Sequence, residues 1–155
     1  MSAPSYVYLR YIISNAPCNI SIDEMVITVD QAPDVAVAGP DLTGPETCDL
    51  TTVSLNASQP VIGTGSWTGG SGGTFGSLFD PKTTFTGTPG STYTLTWNVT
   101  SVYGICATST DEVIVTFNQN PTTASASDSW ICMNDHQTLT GNVPVIGAGN
   151  WSIVS

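Results

Sequence analysis

Cations are nearly missing from this sequence. Its 155 residues hold two basic side chains, Arg10 and Lys82, against twelve acidic ones, for a formal charge of −10. Nucleic-acid binding displaces condensed counterions with clusters of Lys and Arg, and two cations cannot make a patch. Anionic membrane surfaces are excluded on the same ground. Charged residues of either sign make up 9% of the chain, where about 25% is usual. No apolar run approaches the ~18 residues of a membrane span, so membrane insertion is not expected. The opening Met1-Ser-Ala-Pro-Ser5 lacks the charged and apolar regions of a secretory signal; a secreted form would carry its signal outside these residues. Catalytic groups are scarce as well. His136 is the one histidine, it lies in a turn, and the matching turn of the complete repeat described below has none. A histidine without an aligned nucleophile and orienting acid cannot run triad chemistry. The Gly-rich stretch Gly69–Gly76 lacks the Gly-Lys-Ser/Thr ending of a phosphate loop and reads as a flexible hairpin loop. No cysteine stands in a C-x-x-C pair, which argues against zinc-ribbon and thioredoxin chemistry. The expectation is a protein that is not an enzyme and has no catalytic residues.

What fills the chain is Ser, Thr, Gly, Pro and Val, with 40% hydrophobic residues. Lys and Glu, which usually populate exposed helix faces, are almost absent, while Thr and Val suit pleated strands. The composition predicts an all-β fold rich in turns. Tyr93-Thr-Leu-Thr-Trp-Asn-Val-Thr100 alternates strictly, placing Tyr93, Leu95, Trp97 and Val99 on one face of a half-buried strand. Further strands are predicted at Val35–Ala38, Thr51–Leu55, from Gly65 to Trp67, at Thr83–Thr86 and at Glu112–Phe117, with a turn at Gly87–Gly90. Trp67 and Trp97 are the expected large core residues.

The chain repeats itself. Cys18-Asn-Ile-Ser-Ile-Asp-Glu-Met-Val-Ile-Thr-Val-Asp-Gln-Ala-Pro33 aligns without a gap on Cys106-Ala-Thr-Ser-Thr-Asp-Glu-Val-Ile-Val-Thr-Phe-Asn-Gln-Asn-Pro121, 88 positions later. Pro60-Val-Ile-Gly-Thr-Gly-Ser-Trp67 aligns on Pro144-Val-Ile-Gly-Ala-Gly-Asn-Trp151, 84 positions later, and Cys48 matches Cys132 at that same offset. A four-residue deletion between Pro121 and Cys132 accounts for the change. The division that follows is residues 1–31 as the C-terminal half of one repeat, 32–120 as a complete repeat, and 121–155 as the N-terminal half of the next. Six or seven short strands in the complete repeat predict an immunoglobulin-like β-sandwich, repeated in tandem.

Ala38-Gly-Pro-Asp41 ahead of a cysteine, Gly63-Thr-Gly-Ser-Trp67, the Tyr93-Thr-Leu-Thr-Trp97 strand, and Cys106 followed by Ser109-Thr-Asp-Glu-Val-Ile-Val115 resemble the Ig-like and PKD-like repeats of very large secreted Bacteroidota surface proteins, of which gliding-motility adhesins are an example. The tryptophan-aspartate-phenylalanine-glycine-aspartate signature of PKD domains is missing, so the subclass stays open. The resemblance implies an extracellular, cell-surface location and a structural or adhesive role. Stacked modules would form a rod, with Gln119-Asn-Pro121 and Gln31-Ala-Pro33 as stiff joints. Two alternatives stand beside it. One is a self-polymerising extracellular filament subunit, in which half domains of neighbouring copies complete each other head to tail. The other is a carbohydrate-binding module of an exoenzyme, which needs an exposed aromatic row and has Phe75, Phe79 and Tyr103 as candidates for surface glycans.

Repeat position gives each cysteine a role. Cys48 opens the second strand and Cys106 precedes the last, so they are expected to pair within the central domain; the alternative is two reduced buried thiols. Cys18 and Cys132 lack partners in their half repeats and are expected to pair with a neighbouring repeat or chain, Cys132 to Cys18. No cofactor is expected. Calcium at a repeat junction, on Asp23-Glu24 or Asp111-Glu112 with Asp34 or Asp41, is a lesser alternative to acids that simply open a strand and discourage edge pairing. Four Asn-x-Ser/Thr sequons, at Asn19, Asn56, Asn98 and Asn150, are weak signals in so Ser/Thr-rich a chain, and Asn98 sits mid-strand.

Overall fold

The computed structural model describes residues 5–133 and 135–154. Residues 1–4, Asn134 and Ser155, including the outer ends of both expected half repeats and all but the last residue of the opening pentapeptide, lie outside the described residues. The fold is all-β. In chain order the strands are β1 (Ser5–Ile13), β2 (Ser21–Val29), β3 (Thr52–Ser54), β4 (Thr64–Gly69), β5 (Thr74–Phe75), β6 (Thr84–Thr86), β7 (Thr92–Thr100) and β8 (Ser109–Thr116), with one 3-10 turn at Pro45–Thr47. β1 and β2 form a two-stranded antiparallel hairpin. The other six strands form two three-stranded antiparallel sheets, ordered β3-β6-β5 and β4-β7-β8.

One core lies between those two sheets, as a sandwich requires. The period-two alternation of β7 sends Tyr93, Leu95, Trp97 and Val99 inward, and β8 adds Val113, Val115 and, just past its end, Phe117. The facing sheet contributes Val53, Leu55 and Phe85. The aromatic rings form a continuous run: Trp97 to Trp67 at 5.0 Å between centroids, Trp67 to Phe75 at 6.1 Å, Phe75 to Phe85 at 4.9 Å, and Phe85 to Tyr93 at 5.1 Å. Tilted and edge contacts at these spacings suit the ring quadrupoles. Trp67 Nε1 donates to the Asp80 carbonyl at 3.1 Å, whereas the buried Nε1 of Trp97 has no protein partner. Tyr93 is tethered at its rim, its hydroxyl accepting from the Thr88 amide at 2.9 Å. Every buried apolar residue among those described lies between Ala36 and Phe117.

Two segments depart from expectation. Val35–Ala38 joins no ladder; Ala36 N–H donates to Ser109 Oγ at 2.9 Å and Ala38 N–H to Asp111 Oδ2 at 2.8 Å. Side-chain oxygens of β8 thus take the place of a neighbouring strand. The Gly-rich stretch Gly69–Gly76, expected as a loop, contains β5, because Phe75 packs into the aromatic run and aligns Thr74 and Phe75 against Thr86 and Phe85.

Candidate functional site

The surfaces that set this chain apart are the exposed β1–β2 hairpin and the exposed C-terminal segment, on either side of the central sandwich. In the central module, β7 and β8 pair Tyr93 with Val115, Leu95 with Val113, Trp97 with Asp111, and Val99 with Ser109. The hairpin pairs Val7 with Ile27, Leu9 with Met25, Tyr11 with Asp23, and Ile13 with Ser21. From the second pair on these match in kind: aliphatic across from aliphatic, an aromatic across from aspartate, a β-branched residue across from serine; at the first, Val7 stands where the central module has Tyr93. The β1–β2 connection is two residues shorter than the β7–β8 one, which is why β1 shows no match at the offset that aligns β2. The signal was present as alternation: Val7, Leu9, Tyr11 and Ile13 repeat the inward stripe of β7.

Burial is what differs. Leu95 is 0% exposed and Leu9 is 45% exposed. Among the described residues no strand pairs with the outer edge of β2, whereas the matching edge of β8 is covered. There Leu42 N–H donates to the Ile114 carbonyl at 2.8 Å, Thr116 N–H to the Leu42 carbonyl at 2.8 Å, and Ile114 N–H to Asp41 Oδ1 at 2.8 Å. A two-stranded ribbon with apolar residues exposed on both faces, Tyr8, Ile12, Ile22 and Val26 opposite Val7, Leu9 and Tyr11, is marginal alone. An exposed ion pair, Arg10 to Glu24 at 2.6 Å, lies on its other face and adds little.

The C-terminal segment repeats several hydrogen bonds of the central sandwich. In the central module Asp34 Oδ2 accepts from Val61 N at 2.6 Å and Ile62 N at 3.0 Å, Asp34 N donates to Ile62 O at 3.0 Å, and Ser58 N to Val37 O at 2.9 Å. At the matching positions Thr122 Oγ1 accepts from Val145 N and Ile146 N, both at 2.9 Å, Thr122 N donates to Ile146 O at 3.0 Å, and Asn142 N to Ser125 O at 3.0 Å. Gly63 (φ 101°) and Gly147 (φ 87°) occupy the same left-handed turn, where a Cβ is disfavoured. Trp67 is 1% exposed, but its counterpart Trp151 is 59% exposed. A cleft of about 490 Å³ opens beside it, lined by Ala124, Ala126, Gly141, Gly149 and Trp151. Their counterparts Ala36, Ala38, Ala57 and Trp67 are core residues, and the counterpart of Gly149, Gly65, lies directly under the Trp97 ring.

The joint between hairpin and central module is polar. Tyr6 and Tyr103 share a hydroxyl hydrogen bond at 2.9 Å, and Asp30 Oδ2 accepts from the amides of Tyr103 and Ile105, both at 3.3 Å. The Ser101 hydroxyl, then the amides of Ile105, Tyr103 and Gln31, hold the Asp30 carboxyl below the usual carboxylate range, partial burial opposing them. The Tyr6 hydroxyl, with burial and the nearby Asp30 charge, pushes the Tyr103 phenol upward. A depressed aspartate stabilises its joint fully above its unfolded value, and that contribution is lost as pH falls through the lowered folded value. The amide resonances of Tyr103 and Ile105 are therefore expected to hold from neutral pH to about pH 4 and to shift below it, with no such transition in Asp30→Asn. A transition at the ordinary aspartate value, or one retained in Asp30→Asn, would contradict this role.

The expected pairing of Cys48 with Cys106 is corrected: both are free and half-buried, and they lie at opposite ends of the sandwich. Asp49, next to Cys48, donates its amide to the Asn118 carbonyl at 2.9 Å, beyond the end of β8, while Cys106 precedes the start of that strand. Eight residues of strand separate them, roughly 26 Å at 3.3 Å per residue, and a disulfide needs Cα atoms within about 7 Å. Cys18 and Cys132 are exposed free thiols. Repeat position did not reveal the polarity of the strands. β3 starts at the end where β8 finishes, so cysteines placed before each strand fall apart.

Most of the acids weighed for calcium have other partners. Asp34, Asp41 and Asp111 accept backbone amides, Glu24 pairs with Arg10, and no group of three or more potential metal ligands occurs among the described residues. That capping role was legible in the inward phase of Ser109 and Asp111, two polar residues continuing the stripe of Val113 and Val115. The Asn98 side-chain amide donates to Ser66 O, Thr68 Oγ1 and Thr96 O, so it is held within the sheet. His136 is exposed. Of the three aromatics considered for glycans, Phe75 packs into the core, leaving Phe79 and Tyr103 on the surface. No known family matches the chain, and no curated protein matches it.

Proposed function

We propose that this chain is a run of tandem Ig-like modules serving mechanically, as a non-catalytic extracellular rod on a bacterial surface, with 32–120 as the complete module and 1–31 and 121–155 as parts of its neighbours. The observation that carries this reading is the recurrence of one module's hydrogen bonds and strand register on both sides of the central core. An Ig-like topology is supported by strand order: β3-β6-β5 and β4-β7-β8 correspond to the B-E-D and C-F-G sheets, with the segment through Leu42 as first strand. It is further supported by a buried tryptophan on the third of those strands, Trp67, and by a tyrosine near the start of the sixth, Tyr93, whose hydroxyl reaches back to the Thr88 backbone. The short joints at Gln31-Ala-Pro33 and Gln119-Asn-Pro121 favour a linear stack, because proline fixes its own φ and restricts the residue before it. The extracellular placement and the adhesive role rest on the sequence resemblance and on the acidic, Thr-rich surface.

Small-angle X-ray scattering tests the rod. A compact globule of 155 residues has a radius of gyration of about 15 Å. Modules in line, each with strands about 30 Å long, are expected to exceed that by half or more at every concentration. A value near the globular one would overturn the tandem reading.

A further inference from the structure

Resting on the tandem-module reading, we propose that Cys48 and Cys106 are bridging residues between successive modules: Cys48 of one module forms a disulfide with the counterpart of Cys106 in the module that follows it.

The two cysteines cannot meet inside a module, because they sit at its opposite ends. Opposite ends are what an end-to-end stack brings together. Asp30 and Asn118 hold one repeat position, 88 residues apart, and between them they show both sides of a joint. Asn118 shows what this position touches in its own module. Its carbonyl accepts the amide of Asp49 at 2.9 Å, and its side-chain amide donates to Thr43 O at 3.0 Å, Gly44 O at 2.9 Å and Thr47 Oγ1 at 2.9 Å. Cys48 lies between Thr47 and Asp49, so both of its chain neighbours are bonded to this position. Asp30 shows what the same position touches in the next module. Its carboxylate accepts the amides of Tyr103 and Ile105, and Cys106 follows Ile105. One side-chain position at the end of a module thus reaches the turn that carries Cys48 and the following module's connection that carries Cys106. Each cysteine is one residue, about 3.8 Å along the Cα trace, from a direct partner of this position. The 101–108 connection carries no ladder bonds and is the segment free to close to the ~7 Å Cα separation that a disulfide needs. Neither thiol is buried, and the same two positions are cysteine again in the flanking repeats, as Cys18 and Cys132. With oxidised glutathione as oxidant, one thiolate attacks the glutathione disulfide and releases one glutathione, and the second attacks the mixed disulfide and releases the other. The two thiol hydrogens and two electrons end on the two glutathiones.

The test duplicates the central module inside the full chain: residues 1–120 followed by residues 33–155, a junction that repeats the Asn120-Pro121 joint as Asn120-Pro33. Cys18→Ser and Cys132→Ser leave only the Cys48 and Cys106 of each copy. Arg10 and Lys82 are the only basic residues of the parent chain, so trypsin yields three cysteine-bearing peptides. The first holds the leading Cys48, the second the leading Cys106 with the trailing Cys48, and the third the trailing Cys106. The protein is equilibrated in a glutathione redox buffer, its free thiols are alkylated, and the tryptic peptides of the monomer are weighed without reduction. The first and third peptides are expected to be joined, with the second alkylated at both cysteines, and Cys48→Ser in the leading copy should abolish the link. The parent 155-residue chain, which holds one member of each such pair, is expected to be alkylated at all its cysteines. Any disulfide that involves the second peptide would overturn the proposal, as would complete alkylation of the duplicated chain. Scattering and tryptophan emission of the same protein separate the two readings. An elongated, folded chain with free thiols would remove the bridge and leave the tandem array standing. A compact chain, or an added module whose tryptophans stay exposed, would remove both.

Discussion

Leu95→Ala is expected to lower the unfolding free energy of the central module by about 3–4 kcal/mol, while Leu9→Ala, at the matching place in the hairpin, changes it by less than about 0.5 kcal/mol. The two leucines hold one structural position. Each sits third along the inward stripe counted from its cross-strand partner to serine, and each faces an aliphatic residue, Val113 or Met25. Propensity, strand type and register are thus held constant, and what remains is burial. Around Leu95 the core is closed by Phe85, Trp97 and the facing sheet, so truncation leaves a cavity with no route to collapse. Around Leu9 there is water. Urea titrations of dilute protein, following the emission of Trp67 and Trp97 as they leave the core, give both numbers. Equal losses would mean that the hairpin already packs against something in the monomer.

That comparison also marks what the sequence could disclose. Alternation along Tyr93–Val99 identified the inward face because a period of two leaves no second solution for a strand covered on one side. Trp67 and Trp97 were legible as core for the same reason. The repeat was legible where the residues that make backbone-specific bonds recur, as in the Asp-Glu pair and the glycine of the Gly63 turn. It faded in β1, where a connection shortened by two residues shifts the offset and only the apolar pattern survives. Strand direction was not legible, and the cysteine pairing failed on it. Positions in a repeat order the residues along the chain but do not say at which end of the sandwich each falls. β5 stayed hidden among glycines because two residues of strand carry no period; only the lone aromatic Phe75 hinted that the Gly-rich segment touches a core. The cleft beside Trp151 was not legible, because that tryptophan's exposure is a matter of packing and not of pattern.

Gly65→Ala is expected to cost about 3–5 kcal/mol, and the size of that loss should depend on Trp97. The added methyl would sit 2.1 Å from Trp97 Cζ2 and 2.6 Å from Cη2, ring atoms that cannot yield because Trp97 is enclosed by Trp67 on one side and the β7–β8 ladder on the other. Overpacking of this kind forces the backbone of β4 away from β7 and breaks the Gly65–Val99 register. Trp97→Phe replaces the indole with a smaller phenyl ring and so removes the two closest of the three clashing atoms, Cζ2 and Cη2, the third being Cε2 at 2.9 Å. It also removes a buried N–H that has no protein partner, a group whose burial costs about 1–3 kcal/mol, which offsets much of the packing lost. In the Trp97→Phe background the methyl of Gly65→Ala enters space the larger ring occupied, so the second substitution should cost less than about 1 kcal/mol and the double-mutant coupling should exceed about 2 kcal/mol. Additive losses would show that Gly65 is required for its backbone rather than for the ring above it. The same logic makes Gly149→Ala silent in the free chain, where no ring covers it, and gives the glycine at this place in the module a single physical cause: an aromatic side chain from the other half has to lie flat against the strand.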